Sequence, residues 1–263
     1  MNLNRKTIWL TGASSGIGEA LARELIHFNG QLILSARNEQ KLIALKKELG
    51  SLDRIHIVPL DLAESDSFKT LADSVRLKVG GIDVLINNAG ISQRSLALET
   101  TLEVSRRLME INFFGTIALC QAVLPDMLKR NQGQLVVVSS LVGKFGTPLR
   151  SSYAASKHAL HGYFDSLRAE IHQSNISISL ICPGWIQTAI SLNALTGDGS
   201  KQNSMDQRTS QGLPAQEFAK RAIRSIENDA AESLIGNWET KTVWVKRLFP
   251  WLFRRILNRA KVV

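Results

Sequence analysis

Residues 6–18 read KTIWLTGASSGIG. The opening residues are short and apolar, with Ile8, Trp9 and Leu10 in a row, as in a strand buried on both faces. Thr11–Gly18 then brings Gly12, Gly16 and Gly18, and Ile17 to Phe28 reads as a helix. Glycines between a strand and a helix allow a tight turn. They also let a pyrophosphate approach the helix amino terminus, where N–H groups have no intrahelical partner. No GK[ST] follows, so this is not a Walker loop.

Outward from that turn the pattern repeats. Apolar runs at 31–36 (QLILSA), 55–60 (IHIVPL), 82–87 (IDVLIN), 134–140 (QLVVVSS), 176–184 (ISISLICPG) and 232–236 read as strands. Helical stretches lie between them at Glu39 to Leu49, 66–79, 101–130, from Tyr153 toward His172, and 214–228. Short apolar strands alternating with helices predict an α/β chain: a three-layer Rossmann fold with a doubly wound, mostly parallel sheet of about seven strands. Such sheets bind ligands at the carboxyl ends of their strands. Gly12 to Gly18, Arg37, Asp61, Asn88, Ser140 and the segment after Pro183 all fall there. Residues 1–240 read as one domain. Within it, 189–212 is rich in Gly, Ser, Asn and Asp and reads as a mobile flap over the substrate pocket, or else a surface insertion.

The 263 residues, 44% hydrophobic and 21% charged, describe an ordinary globular protein. Cys120 and Cys182 lie in apolar runs and read as reduced core residues of a cytosolic protein. The amino end shows no secretory signal, and no run of about 18–20 continuous apolar residues suggests a spanning helix. The net charge of +9 is concentrated in 241–263, where Lys241, Lys246, Arg247, Arg254, Arg255, Arg259 and Lys261 stand without an acid. The remainder is near balance, and no nucleic-acid-binding motif accompanies the tail.

Tyr153 and Lys157, in YAASK, are four residues apart and share a helix face. A free phenol titrates near about 10, and a cation beside it favours the phenolate, so the pair can move a proton. After the second strand stands Arg37 rather than the carboxylate that suits an NAD ribose. A guanidinium pairs with a 2′-phosphate, which favours NADP(H) over NAD(H); the alternative is that Arg37 pairs with Glu39 or Glu48 at the surface. His158 and His161 lie near the same helix face, but no third ligand stands nearby in sequence, so no metal is expected.

These motifs together resemble the short-chain dehydrogenase/reductase family over about residues 5–240. TGASSGIG is similar to its TGxxxGxG, NNAG at 87–90 to its fourth-strand motif, and Asn112 in MEINFFGT to its active-site asparagine. SS at 139–140, YAASK at 153–157 and PGWIQT at 183–188 continue the match. The resemblance implies hydride exchange between NADP(H) and a carbonyl or alcohol, with Tyr153 as acid and base. It implies that Lys157 lowers the Tyr153 pKa and binds the nicotinamide ribose, and that Asn112 holds a water linked to Lys157. The serine thirteen positions before the tyrosine, Ser140 rather than Ser139, would orient the carbonyl. Around the cofactor it implies Gly12, Ser14, Ser15, Gly16, Ile17 and Gly18 at the phosphate turn. Arg37 would lie at the 2′-position, Asp61 and Leu62 at the adenine, and Asn88, Ala89 and Gly90 on the adenosine side. Pro183, Gly184, Ile186 and Thr188 would lie toward the carboxamide and phosphates. Asn87 would instead tie neighbouring strands. Ser15 stands where many NADP-preferring relatives carry a basic residue.

LILSARNEQKL, YAASKHALHGYFDSLRAE, ICPGWIQTAIS and LTGDGS resemble a narrower branch, that of the 7B-type dehydrogenase/reductases and the 11-beta-hydroxysteroid dehydrogenase group. That branch implies a lipophilic, lipid- or steroid-like substrate, and the family implies a homodimer or homotetramer. On a helix after Pro250, Leu252, Ile256 and Leu257 fall on one side and Arg254, Asn258 and Lys261 on another. Residues 244–263 thus suit membrane-surface contact, a subunit interface or packing over the pocket. A non-catalytic NADP-binding sensor on the same fold is the competing reading. It has no use for a proton donor.

Overall fold

The central strands are short and buried at every residue, so the sheet they form has to be covered on both faces. The computed structural model describes residues 1–50 and 52–259. In chain order the elements begin β1 (Ile8–Thr11), α1 (Gly16–Leu25), β2 (Leu32–Ser35), α2 (Glu39–Glu48), β3 (Ile55–Ile57), α3 (Phe68–Val79) and β4 (Val84–Asn87). Next come α4 (Leu102–Met109), α5 (Gly115–Arg130), β5 (Gly133–Val138), α6 (Ser151–Glu170), β6 (Ile176–Pro183) and β7 (Ile186–Gln187). Last are α7 (Gln207–Ser210), β8 (Leu213–Pro214), α8 (Ala215–Glu227), β9 (Glu232–Ile235), α9 (Lys241–Leu248) and α10 (Pro250–Arg259).

Seven strands pair in the order β3-β2-β1-β4-β5-β6-β9, every registered pair parallel. This is the α/β, three-layer Rossmann arrangement that the alternation of elements predicts. The strand order reverses between β1 and β4, which opens a crevice at their carboxyl ends. Period-two alternation divides each strand between the two layers. Ile8, Leu10, Leu34 and Ile86 pack with Leu21, Leu25, Phe218 and Ile223 on one side. Trp9, Ile33, Leu85 and Leu135 pack with Phe68, Val75, Leu119 and Phe164 on the other.

Two local features depart from the pattern read in the sequence. The 101–130 helix is broken by a π turn, Glu110–Phe114, which separates α4 from α5 and carries Asn112. The 102–130 stretch is long and apolar enough to cross a membrane by length and mean hydropathy, although polar residues such as Glu110 and Gln121 interrupt it and no run of that length is continuously apolar. Its Leu108, Ile111, Leu119, Val123 and Met127 are core residues, so the fold spends that apolar face on packing. Finally, Asn87 does not join strands through its side chain: strand alternation turns it into the helical layer, where Nδ2 donates to Cys120 Sγ (3.2 Å). The neighbouring Asn88 makes the tie instead, donating from Nδ2 to Thr11 O (3.0 Å).

Segment 189–212 lies against the loop after β4. Leu195 N donates to Ser92 O (2.8 Å) and Arg94 N donates to Leu195 O (2.8 Å), while β7 and β8 pair just outside its two ends. In α10, Phe253 is buried with its ring edge-on to Phe145 at 5.2 Å. Residues 260–263, including Lys261 of the basic tail, lie outside the described residues.

Phe164 is fully buried midway along α6 and joins the helix to the sheet. Phe164→Ala is expected to destabilise the protein by about 3–5 kcal/mol, read as a lower urea midpoint at unchanged slope.

Candidate active site

At the carboxyl end of β1 the chain is too crowded for side chains. A Cβ at Gly12 would come within 2.8 Å of the Ala89 Cα, and one at Gly18 would overlap the Gly12 carbonyl oxygen. Gly12 and Gly16 take positive φ, 68° and 57°, which glycine adopts without strain. Ser15 precedes α1 in extended conformation and makes no side-chain cap, so the first-turn N–H groups of α1 face the crevice without one. Thr188, from the far end of the sequence, lies against the same turn: a Cβ on Gly16 would sit 3.1 Å from its Cγ2. This cradle fits a dinucleotide phosphate.

Around it the other sequence-predicted residues take their places. Ser14 and Ile17 are half-buried, and Ser15 is exposed. Arg37 is exposed directly after β2, and among the described residues it forms no ion pair; Glu48 pairs with Arg23 instead. Asp61 is half-buried, its Oδ1 accepting from Ala63 N (3.1 Å), and Leu62 is buried. Gly90 is exposed, and a Cβ there would stand 2.9 Å from Asn112 Oδ1 and 3.6 Å from Lys157 Nζ. Gly184 packs on Glu239, whose carboxylate accepts from Trp185 N (3.1 Å) and Asn237 N (3.1 Å). Pro183 and Ile186 are buried.

Next to the cradle, α6 presents Tyr153 and Lys157, both buried. The helix receives its cap from a distance: Gln93 Oε1 accepts from Ser152 N (2.9 Å) and Tyr153 N (3.2 Å). Asn112 is fully buried and committed to its neighbours. It accepts from Ile91 N (2.8 Å) and donates to Ile91 O (2.9 Å) and Ser156 Oγ (3.0 Å). It thereby clamps the NNAG loop to α6. Lys157 Nζ donates to Val138 O (2.9 Å) and lies 6.0 Å from the Tyr153 ring centre. Burial brings this ammonium down to about 8.

The two serines after β5 diverge. Ser140, half-buried, accepts from Val142 N (3.3 Å), and its hydroxyl favours the ionised form of the Tyr153 phenol. Ser139 turns inward to Lys157 O (3.3 Å) and His161 Nε2 (3.0 Å). Burial raises the Tyr153 phenol above its ordinary value. The Ser140 hydroxyl, then the Arg150 and Arg94 guanidinium groups, act in the opposite direction. Leu141, Val142, Phe145, Leu195 and Phe253 form the apolar cluster around Tyr153.

Two groupings have no signal in the sequence, because their members come from distant elements. One is Arg94, Arg150 and Asp206, a buried ion network. The other is His161, Cys182 and Glu232, whose candidate ligand atoms lie within 4.8 Å of one another. Adjacent sequence offers no third ligand near His158 and His161; the fold brings two to His161 from β6 and β9. The imidazole shows them different nitrogens, however. Nε2 lies 3.7 Å from Cys182 Sγ, Nδ1 lies 3.6 Å from Glu232, and Lys144 pairs with the same carboxylate. The ring therefore bridges the thiol and the carboxylate rather than aiming one lone pair at a shared centre. Burial and then Lys144 bring His161 down to about 4, and burial pushes the Cys182 thiol up to about 12.

A parallel sheet with this cradle and a buried Tyr–Lys pair at one carboxyl edge defines a nucleotide-dependent oxidoreductase. The short chain dehydrogenase family model matches residues 6–198, and the chain belongs to the short-chain dehydrogenase/reductase family. It is an enzyme of that type, acting on CH–OH groups by NAD(P)-dependent oxidoreduction. It is similar to the dehydrogenase/reductase SDR family protein 7-like of Anopheles gambiae, 40% identical over 265 residues, covering 98% of this chain and 84% of the relative. It is also similar to dehydrogenase/reductase SDR family member 7B of Mus musculus, 39% identical over 266 residues, with 98% and 82% covered. Among solved structures, a short-chain dehydrogenase from Streptomyces avermitilis superposes with TM-score 0.80 at 27% identity, over 96% of each chain. A Burkholderia phymatum short-chain dehydrogenase/reductase in complex with NAD shares the fold, with TM-score 0.84 at 20% identity, over 100% of this chain and 98% of the other.

The His161 pKa gives a signed expectation. The unfolded imidazole titrates near about 6.5 and the folded one at about 4. Between those values the unfolded chain binds the proton and the folded one does not, so stability falls as pH drops through that window. Thermal unfolding scans should show this loss, and His161→Gln should flatten it. Gly18→Ala should abolish dinucleotide binding measured by calorimetry, since the new methyl collides with the Gly12 carbonyl.

Proposed function

We propose that the protein exchanges hydride between NADP(H) and the carbonyl or secondary alcohol of a lipophilic substrate, with Tyr153 as acid and base. The observation that carries the reading is the buried Tyr153–Lys157 pair at the same sheet edge as the glycine cradle. Bound there, the nicotinamide supplies or accepts hydride. The chain's own groups do the rest. In reduction the Tyr153 hydroxyl gives its proton to the substrate oxygen, and in oxidation the phenolate takes it back. Ser140 donates to the same oxygen and stabilises its developing negative charge. Lys157 holds the nicotinamide ribose and lends positive charge, while Asn112 keeps the NNAG loop and α6 in register.

Arg37 supports the NADP(H) preference: it stands after β2 with no acid paired to it among the described residues, and a guanidinium suits a 2′-phosphate. The apolar cluster of Leu141, Val142, Phe145, Leu195 and Phe253 supports a lipophilic substrate. A second reading, of the tail, rests on its outward face. Trp244, Leu248, Phe249, Trp251 and Ile256 are exposed beside Lys246, Arg247, Arg254 and Arg255, a pairing that suits an anionic lipid surface. The full chain is expected to float with anionic vesicles and to stay behind with neutral ones; failure to float with either overturns the contact.

Nicotinamide absorbance, followed with NADPH and NADH against a panel of lipophilic ketones, tests the main reading. Tyr153→Phe should lower kcat by about a hundredfold or more. Arg37→Ala should raise KM for NADPH by about tenfold and leave that for NADH unchanged. Reduction requires the protonated phenol, and burial raises its pKa. The rate should therefore hold through neutral pH and fall only in the alkaline range, with oxidation rising there. Turnover by Tyr153→Phe at the parent rate would refute the assignment.

A further inference from the structure

The helix that carries Tyr153 begins without a cap of its own. Arg150, the residue before α6, makes no side-chain bond to the first turn, and the first N–H groups of a helix have no intrahelical partner. Gln93, in the loop after β4, supplies one from 60 positions away. It is fully buried, and its Oε1 accepts from both Ser152 N (2.9 Å) and Tyr153 N (3.2 Å). Backbone N–H groups can only donate, so the amide has to turn its oxygen toward them. Its Nε2 then donates to Thr100 Oγ1 (2.7 Å) and Ser95 Oγ (3.1 Å), two hydroxyls that also bond each other at 2.7 Å. Both ends of the Gln93 amide are thereby committed.

The main chain at Gln93 is held as firmly. It bridges to Leu195 of segment 189–212, with Leu195 N donating to Ser92 O (2.8 Å) and Arg94 N to Leu195 O (2.8 Å). Its carbonyl accepts from Arg94 Nη1 (2.6 Å).

The loop that ends in this cap starts at the glycine cradle. Ala89 crowds Gly12, Gly90 stands beside Asn112 and Lys157, and Ile91 exchanges two hydrogen bonds with Asn112. Asn112 fastens α6 at the Ser156 hydroxyl (3.0 Å). Gln93 fastens it three residues earlier, at the backbone amide of Tyr153 itself. Reacting groups have to be held to a fraction of an ångström, and a misplacement of about 1 Å can cost about a hundredfold in rate. A buried acceptor that joins the cradle loop to the Tyr153 amide meets that need directly.

We propose that Gln93 is a positioning residue for the reaction: its side-chain oxygen fixes the backbone of Tyr153 against the loop packed on the glycine cradle, so that the phenol keeps its place relative to the cofactor. This rests on the acid–base role given to Tyr153 above.

Two variants of near-equal size separate the oxygen from the packing. Gln93→Met fills the space and offers the amides no oxygen. Gln93→Glu keeps an oxygen, which the amino end of a helix favours as a carboxylate, and the Ser95 and Thr100 hydroxyls can turn to donate to it. In the free protein, hydrogen exchange at the Ser152 and Tyr153 amides should quicken by about tenfold in Gln93→Met and stay near the parent rate in Gln93→Glu. Turnover is then followed with NADPH and the lipophilic ketone that the parent reduces fastest. Rates are referred to NADPH sites counted by calorimetry, so unfolded protein does not register as lost rate. Gln93→Met should lower kcat by about tenfold to a hundredfold and leave KM for NADPH within about twofold, while Gln93→Glu restores most of kcat. Added to Tyr153→Phe, Gln93→Met should change the remaining rate by less than about twofold, because it acts through that residue. Should Gln93→Met fail to fold, Gln93→Asn draws the same amide back by one methylene and is read in the same way. Parent-like exchange or kcat in Gln93→Met, or a loss in Gln93→Glu as deep as in Gln93→Met, overturns the proposal. Loss of rate in Tyr153→Phe with none in Gln93→Met refutes the positioning role alone, whereas turnover by Tyr153→Phe at the parent rate refutes the acid–base reading on which it rests.

Discussion

A parallel sheet sealed on both faces leaves polar side chains little room except at its ends. Here β1, β2, β4 and β5 are buried throughout, with apolar layers above and below. Dinucleotide cradle, the Tyr153–Lys157 pair and the ion network are accordingly all drawn to the carboxyl ends, where the chain leaves the sheet. Crowding follows from that concentration. Gly12, Gly18 and Gly90 are positions where a methyl group would strike the Ala89 backbone, the Gly12 carbonyl or Asn112. Close backbone approach leaves the space at the edge for a ligand.

Burial at that edge has an electrostatic cost that sets the chemistry. It raises the Tyr153 phenol and lowers the Lys157 ammonium to about 8, so each group resists its charged form. Nearby fixed groups favour the Tyr153 phenolate against that burial. They are the Ser140 hydroxyl and the guanidinium groups of Arg150 and Arg94. His161 shows the same force with a different outcome. It is held neutral between a thiol and a carboxylate, and it supports Ser139 rather than the reaction.

The tail and segment 189–212 enclose the same place from two sides. Leu195 from one and Phe253 from the other complete the apolar cluster around Tyr153. Each is attached differently: segment 189–212 through the buried carboxylate of Asp206 and backbone bonds to Ser92 and Arg94, and α10 through the edge-on contact of Phe253 with Phe145.

Much of this was legible in the residues because it is local. Strand alternation, the glycines of Thr11–Gly18 and the four-residue spacing of Tyr153 and Lys157 depend on neighbours a few positions away, and they determine the fold class, the cradle and the pair on one helix face. That the Asn87 side chain meets Cys120 rather than a neighbouring strand is not legible in the residues, because which side of a strand end faces the helices is fixed by the layers packed on it. The divergence of Ser139 and Ser140 is likewise plain only once α6 lies against β5 and β6. Tertiary structure alone made the Arg94–Asp206–Arg150 network and the His161–Cys182–Glu232 cluster. Their members come from separate loops, strands and helices, and a buried charge finds its partner through space. Sequence determined which elements form; packing decided which charges they bring together.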